Sequence, residues 1–180
     1  MEKFAVFKIG KEDFGVSINM VVEILKSQKI YFLPELPDFI SGVINVRGEV
    51  IPLLDLRKRF GAHTETDKCR IIVVHYEDEK IGLLVDEIDE IVPFSPEEIS
   101  TPPAMFKGLK TEYLTGLGKK EERIVILLNI ERLLTSKEKI MLSASSDSFA
   151  SADLFSTPPQ ADECGLRREE ESTGLIADGS

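Results

Sequence analysis

The sequence predicts a mainly β protein built from two small barrels that pack on one another. Apolar runs of five to seven residues alternate with turn signals along most of the chain, and the first 140 residues contain an internal repeat. Of the 180 residues, 42% are hydrophobic, which is enough to bury a core. Short strands with regular turns are typical of barrels and sandwiches, and two copies of the pattern favour two barrels.

The internal repeat has two blocks, which occur in the same order in both halves of the chain. Residues 7–25 align with residues 74–92 at an offset of 67 positions. Residues 50–60 align with residues 124–134 at an offset of 74. Each first block reads as a strand, a charged turn, a glycine and a second strand, and each second block reads as a strand followed by a short helical piece.

The alignment also divides the chain into a folded domain and a tail. The domain covers residues 1–142, with a first repeat at about residues 5–60 and a second at about residues 70–134. Residues 143–180 are rich in Ser, Asp, Glu, Ala and Gly and carry eight acidic and two basic side chains. Such a composition buries too little apolar area to offset the entropy of ordering, so we expect a disordered acidic tail.

Turn residues and periodicity assign the elements of the first half. Charged residues separate paired apolar runs, prolines at positions 34 and 37 break regular structure, and Asp55 is a suitable N-cap. The predicted elements are strands at 5–9 and 14–18, a helical turn at 20–25, an extended run at 30–32, strands at 39–46 and 49–54, and a helical turn at 56–60.

The second half follows the same pattern and ends differently. After its last strand, apolar and charged residues alternate at helical spacing, which indicates a C-terminal helix. The predicted elements are strands at 70–76, 80–85, 87–92, 113–117 and 123–128, and a helix at 130–142.

Composition excludes several classes of partner. The formal net charge of −10 repels phosphate, so we expect neither nucleic acid nor an anionic membrane as a partner. No apolar run is long enough to span a bilayer, and the N-terminus lacks a signal-peptide pattern. Cys69 is expected in a strand and Cys164 in the polar tail, so we expect no structural disulfide and a cytoplasmic location.

The sequence contains no catalytic or metal-binding constellation. His63 falls in a polar loop and His75 in a strand, and neither has a partner at metal-ligand spacing. Nucleophile motifs and phosphate-binding loops are absent from the sequence. The acidic run at residues 86–90 lacks the pattern of a calcium loop and is better explained as a solvated face. We therefore expect neither enzymatic activity, nor a cofactor, nor a bound metal.

One pair of charges calls for a functional explanation. Arg47 lies at the tip of an apolar hairpin, where its guanidinium must reach water, a carboxylate or a partner. Glu23 lies among apolar residues and requires a cation. The two either form an ion pair at a groove or are independent surface charges. The second repeat keeps Glu90 but has Gly116-Leu117-Gly118 where we expect its hairpin tip, so only the first repeat is expected to carry this arginine.

The sequence resembles the CheW family, the coupling scaffold of bacterial chemotaxis, over about residues 3–140. The resemblance is carried by FKIGKEDFGVSI, VVEIL, FISGVINVRGEVIPLLDLRKRFG, IGLLVDEIDEIV and TEYLTGLGKKEERIVILLNIERLL. It implies two SH3-like five-stranded β-barrel subdomains around a shared core, with short helices and a C-terminal helix. It also implies a protein without enzymatic activity.

The resemblance further implies the partners and their contact residues. A CheW-like chain couples the cytoplasmic tips of chemoreceptors to the regulatory domain of the histidine kinase CheA, at membrane-associated arrays and without inserting into the membrane. Two alternative hypotheses for the function are a CheW-like scaffold of another motility or surface-behaviour pathway, and a small-ligand-binding barrel. The implied contact residues are Val21, Glu23, Arg47 and Ile71 for the receptor groove, and Gly42 and Val43 for the kinase.

Overall fold

The protein is mainly β, as the sequence predicts. A computed structural model describes residues 1–26, 28–34, 36–62, 68–101 and 113–142. The predicted disordered tail and His63 lie outside the described residues. The strands are β1 Glu2–Ile9, β2 Glu12–Ser17, β3 Val21–Lys26, β4 Gly42–Val46, β5 Glu49–Asp55, β6 Arg70–Tyr76, β7 Glu79–Val85, β8 Glu87–Phe94, β9 Ile99–Ser100, β10 Leu114–Lys120 and β11 Arg123–Leu128.

Short helices join the strands. The Asp55 side chain accepts a hydrogen bond from the Arg57 amide and so caps helix α1, Leu56–Arg59, as predicted. Within the described parts of the chain, 3₁₀ helices span Ile18–Met20, Pro96–Glu98 and Ile130–Arg132. The predicted C-terminal helix is divided: the last of these 3₁₀ turns comes first, and residues 136–142 are α-helical.

Two local predictions are wrong. Within the predicted helical turn at 20–25, Met20 ends a 3₁₀ helix, while residues 21–25 form most of strand β3, because their β-branched positions pair with β6. Residues 116–118 lie inside strand β10, and the turn of that hairpin comes later, at Glu121 and Glu122.

The strands form two sheets, and each sheet combines strands from both repeats. Barrel A has the order β8-β1-β2-β11-β10-β9, and barrel B has the order β3-β6-β7-β5-β4. The first hairpin of each repeat therefore lies in one barrel, while the remaining strands of that repeat lie in the other. The two orders match strand for strand, since β8, β1, β2, β11 and β10 occupy the places of β3, β6, β7, β5 and β4.

Parallel strand pairs connect the repeats within each barrel. In barrel A, β2 pairs with β11 at Gly15 and Leu127, and in barrel B, β7 pairs with β5 at Gly82 and Leu53. Each glycine faces the leucine of the other repeat: a Cβ on Gly82 would lie 2.5 Å from Leu53 Cδ2, and one on Gly15 would lie 3.1 Å from Leu127 Cδ2. The absence of a side chain therefore permits both strand contacts.

Three groups of buried apolar residues fill the structure. The largest draws on both barrels, and it includes Phe7 and Phe14 of barrel A and Ile72 and Val74 of barrel B. A second group fills barrel B and a third fills barrel A. The two barrels therefore share one core, which buries the side chains between their first hairpins.

A buried charged cluster joins the barrels where the chain passes from one to the other. Asp86 lies between β7 and β8 and is 4% exposed. Its Oδ2 accepts a hydrogen bond of 2.7 Å from the Gly10 amide of barrel A, and its Oδ1 lies 3.6 Å from Nη1 of the buried Arg57. Arg57 also pairs with Asp55 at 3.0 Å. The expectation that Asp86 belongs to a solvated face is wrong, because this carboxylate has buried partners in both barrels.

Cys69 also differs from expectation. It is 1% exposed and packs in the core of barrel B. It lies in the loop that precedes β6, whereas the sequence predicts it within a strand.

Replacing Asp86 by Asn should destabilise the protein. The change leaves the charge of Arg57 partly unbalanced in a buried site, and breaking such a pair costs about 3 kcal/mol. Urea denaturation followed by circular dichroism measures the free energy of unfolding. Asp78→Asn, at the exposed β6–β7 turn, is the control and should change it by less than about 0.5 kcal/mol. Equal effects of the two substitutions would show that the buried cluster does not hold the barrels together.

Candidate functional site

The β4–β5 turn places Arg47 at the edge of barrel B. Val46 and Glu49 pair across the hairpin, and the two residues between them have positive φ, 50° at Arg47 and 86° at Gly48. This is the geometry of a type I′ turn, whose twist suits a two-residue hairpin. A non-glycine residue in this region is disfavoured. The turn therefore holds the arginine in a conformation that an isolated chain would rarely adopt.

Glu23 is directed by a bulge in the facing strand β3. The register of β3 against β6 runs from Val21 opposite Val74 to Glu23 opposite Val73, which leaves Val22 as an extra residue. Bulges of this kind redirect the side chains around them. In this structure, Glu23 follows the extra residue Val22, and its side chain reaches the β4–β5 turn.

The turn and the bulge bring Arg47 and Glu23 together, as one of the two sequence-based hypotheses proposed. Nη2 of Arg47 donates a hydrogen bond of 2.6 Å to Oε1 of Glu23. The arginine side chain remains 75% exposed and the glutamate 26% exposed. The hydrogen bond with Glu23 raises the pKa of Arg47 above its ordinary value, so the guanidinium stays charged. Most of its donors face solvent and can contact a partner.

The other two residues of the predicted groove have different positions. Val21 is partly buried and packs against the shared core. Ile71 is completely buried inside barrel B, opposite Leu25 of β3, so it supports the strand rather than lining a surface. Ile24, which follows Glu23 along β3, is 45% exposed, and strand alternation places its side chain on the opposite face from Glu23. The exposure of Ile24 does not follow from the helical turn predicted for this segment, whereas alternation along a strand places Ile24 and Leu25 on opposite faces.

Gly42 and Val43 lie at another edge of barrel B, and both are buried. Tyr31 covers them: its amide donates to the Val43 carbonyl at 2.8 Å, and its carbonyl accepts from the Val43 amide at 2.9 Å. A Cβ on Gly42 would lie 2.5 Å from Ile30 Cγ2 and 2.9 Å from the Tyr31 oxygen. These residues therefore shape the surface formed by Tyr31 and present little of their own side chains.

Barrel A has the same bulge but directs its glutamate elsewhere. The register of β8 shifts between Ile88 and Ile91, positions that correspond to Val21 and Ile24. Glu90, which corresponds to Glu23, accepts a hydrogen bond of 2.8 Å from Nη1 of Arg123. Contrary to expectation, the second repeat therefore also pairs its glutamate with an arginine.

Arg123 is held more tightly than Arg47. Besides Glu90 it bonds to Asp89 and, at 2.9 Å, to Asp13, and it is 31% exposed. The hydrogen bond with Asp13 and those with the other two carboxylates raise the pKa of Arg123. Burial alone would raise the pKa of Asp13, but hydrogen bonds from Arg123 and Lys8 outweigh it and leave the pKa below the ordinary value of 3.8.

The ion pair between Asp13 and Arg123 has a counterpart in barrel B in which the acidic and basic residues have changed places. Asp13 on β2 pairs with Arg123 on β11 in barrel A, and at the corresponding positions of barrel B, Lys80 on β7 pairs with Glu49 on β5 at 2.9 Å. The arginine that barrel A uses within its sheet therefore has a glutamate as its counterpart in barrel B. Arg47 lies two residues earlier, at the exposed turn.

The described residues contain no group of three or more His, Cys, Asp or Glu side chains that could hold a metal ion. Within the same parts of the chain, no helix is both long and apolar enough to cross a membrane. The residues at the candidate site offer hydrogen-bond donors and an apolar contact rather than a nucleophile and its base. Such an arrangement is suited to binding another protein.

Comparisons with known proteins agree on one family. A family model described as the CheW-like domain matches residues 3–138. The chemotaxis protein CheW of Klebsiella aerogenes is 35% identical over 143 residues, which cover 78% of this chain and 86% of that protein. The chemotaxis protein CheW of Treponema pallidum is 31% identical over 142 residues, which cover 76% and 84% of the two chains.

A solved structure extends the similarity to three dimensions. It is the crystal structure of the scaffolding protein TtCheW from Thermoanaerobacter tengcongensis, which is 34% identical to this chain. The match has a TM-score of 0.69 and covers 77% of this chain and 92% of the other.

Acid should remove the stability that Asp13 contributes. Its pKa is lowered in the folded state, so its ion pair with Arg123 stabilises the fold fully above the ordinary value of 3.8 and is lost as the pH falls through the lower, folded pKa. Asp13→Asn should therefore flatten the pH dependence of the urea midpoint between about pH 5 and pH 2. Asp78→Asn is the control, and a wild-type acid profile in Asp13→Asn would contradict the assignment.

Proposed function

Because the chain belongs to the CheW-like domain family, we propose that it is a non-enzymatic adaptor of bacterial chemotaxis that couples chemoreceptor tips to the histidine kinase CheA. Its relatives are chemotaxis proteins named CheW and a CheW scaffolding protein, which supports the adaptor role. The adaptor works at the receptor arrays, and its activity consists of binding two partners.

The exposed ion pair of Arg47 and Glu23 carries the proposal for the receptor site. Two unusual backbone features, a left-handed turn and a bulge, act together to present one guanidinium at the surface. Local strain of this kind persists where surrounding structure enforces it, and it is common at binding sites. On the other face of β3, Ile24 offers an exposed apolar side chain, and Val21 packs against the shared core.

Receptor tips are helical hairpins by the family resemblance, so the proposed contact is a helix lying against an apolar surface with a polar landmark. The apolar side chains provide area, and the charged guanidinium fixes register and orientation through hydrogen bonds. Ile71 supports this surface from inside barrel B, since its strand β6 pairs with β3 and its side chain is buried in the barrel core.

The proposed kinase contact lies at the other edge of barrel B, around Gly42 and Val43. Both residues are buried, so they act by setting the position of Tyr31, which covers them. This surface is formed by β4, while the receptor contact is formed by β3 and the β4–β5 turn. A substitution at Arg47 can therefore affect one partner and leave the other unchanged.

Arg47→Glu should weaken receptor binding while preserving the fold. The reversed charge faces Glu23 and removes the donors offered to the receptor, so we expect affinity for a receptor-tip fragment to fall about tenfold or more. Isothermal titration calorimetry with that fragment, and separately with the CheA regulatory domain, measures both interactions. Kinase affinity and the thermal unfolding midpoint should stay at wild-type values.

The matched control is Glu121→Arg, a charge reversal at the corresponding turn position of barrel A, where φ is 56°. It should leave receptor affinity unchanged. The double substitution Glu23→Arg with Arg47→Glu can restore an ion pair but still presents the wrong charge, so receptor binding should remain weakened. Wild-type receptor affinity in Arg47→Glu would refute the receptor site, and failure of the wild-type chain to bind either partner would refute the adaptor role.

A further inference from the structure

Asn45 makes a contact that the repeat and the fold do not require. It is exposed, yet its Oδ1 accepts a hydrogen bond of 2.9 Å from the Gly48 amide, across the tip of the β4–β5 turn. In a two-residue hairpin turn this central amide has no partner within the ladder, so it would otherwise face water. The side chain thus fixes the peptide that follows Arg47.

The orientation of that peptide decides the turn type. In a type I′ turn both central residues have positive φ, whereas in a type II′ turn only the first does. The Gly48 amide points to Asn45 only while Gly48 keeps its φ of 86°. Rotation of the peptide into the alternative turn would break this hydrogen bond, so Asn45 favours one of two accessible geometries for the residue that presents the guanidinium.

The carboxylate of Glu49, close to Arg47 in the chain, already has a cationic partner. Glu49, two residues after Arg47, could compete with Glu23 for the guanidinium, but Lys80 of β7 engages its carboxylate at 2.9 Å. Arg47 consequently has Glu23 as its closest carboxylate partner, at 2.6 Å. In the free protein, Asn45 therefore holds the backbone next to Arg47, and Glu23 bonds to the Arg47 guanidinium.

Barrel A provides an internal comparison. Its β10–β11 turn repeats the left-handed conformation at Glu121, but the position that corresponds to Asn45 is Lys119. An ammonium group cannot accept a hydrogen bond. The residue that corresponds to Gly48 is Glu122. The backbone turn is therefore common to both barrels, while the accepting side chain occurs only where an arginine is presented.

We propose that Asn45 is a positioning residue: it holds the β4–β5 turn in the geometry that presents Arg47 to the partner. The proposal deepens the receptor site and rests on it. Fixing a loop in its bound conformation raises affinity by lowering the entropy lost on binding, without adding a contact to the partner.

Three variants test this role. Asn45→Ala removes the acceptor and should weaken binding of the receptor-tip fragment about fivefold, the effect of one hydrogen bond. Asn45→Asp keeps an acceptor and should restore most of the affinity. Lys119→Ala, at the corresponding position of barrel A, is the matched control and should bind like wild type. Affinity for the CheA regulatory domain should be unchanged in all three, and all three should unfold in a single cooperative transition.

A second readout follows the turn itself. Hydrogen exchange of the Gly48 amide, measured by NMR on the full chain without partner, should accelerate in Asn45→Ala and stay protected in Asn45→Asp. Accelerated exchange with unchanged receptor affinity in Asn45→Ala would overturn the positioning role, and so would equal affinity losses in the Ala and Asp variants.

If Arg47→Glu also binds the receptor fragment normally, the receptor site itself is wrong. If Arg47→Glu binds weakly while Asn45→Ala binds normally, only the role of Asn45 is wrong.

Discussion

Both barrels depend on a pairing in which a strand from one repeat runs parallel to a strand from the other. At these crossings a glycine admits a leucine of the opposite repeat, Gly15 with Leu127 and Gly82 with Leu53. The remaining architecture follows from this exchange. The first hairpins of the two repeats pack against each other and create the shared core, and the chain must pass between barrels at Asp86, where buried charges join them.

The two barrels share a backbone plan and differ in how they use charge. Each has a bulge beside a glutamate and a hairpin turn with a left-handed residue. In barrel A the arginine lies within the sheet, where three carboxylates hold it. In barrel B the arginine lies at the turn, bonded to one carboxylate and largely exposed. A function for one barrel end can therefore arise from a few substitutions on a duplicated frame.

Much of the fold and part of the site could be predicted from sequence. Most strands have the clear periodicity that a half-buried strand requires, and the pairing of Glu23 with Arg47 was one of two hypotheses that followed from the cost of isolated charges.

The exchange of hairpins between repeats could not be predicted, because local periodicity does not specify which copy of a strand is the partner. The bulge in β3 was missed for a related reason: an extra residue interrupts the alternation that identifies a strand, and VVEIL then resembles a helical turn. The complete burial of Ile71 depends on contacts to both faces of a central strand, which its own sequence does not reveal.

The exchanged hairpins also bear on how such a chain could originate. Two copies of an undivided half-sequence could build the same pair of barrels as a homodimer, each lending its first hairpin to the other. With the present residues, however, a homodimer of the first half would set Asp13 against Glu49, and one of the second half would set Lys80 against Arg123. Like charges at these crossings would oppose assembly, whereas the fused chain brings opposite charges together at both. The ion pairs therefore disfavour the pairing of two copies of either half and favour the pairing of the two different halves within one chain.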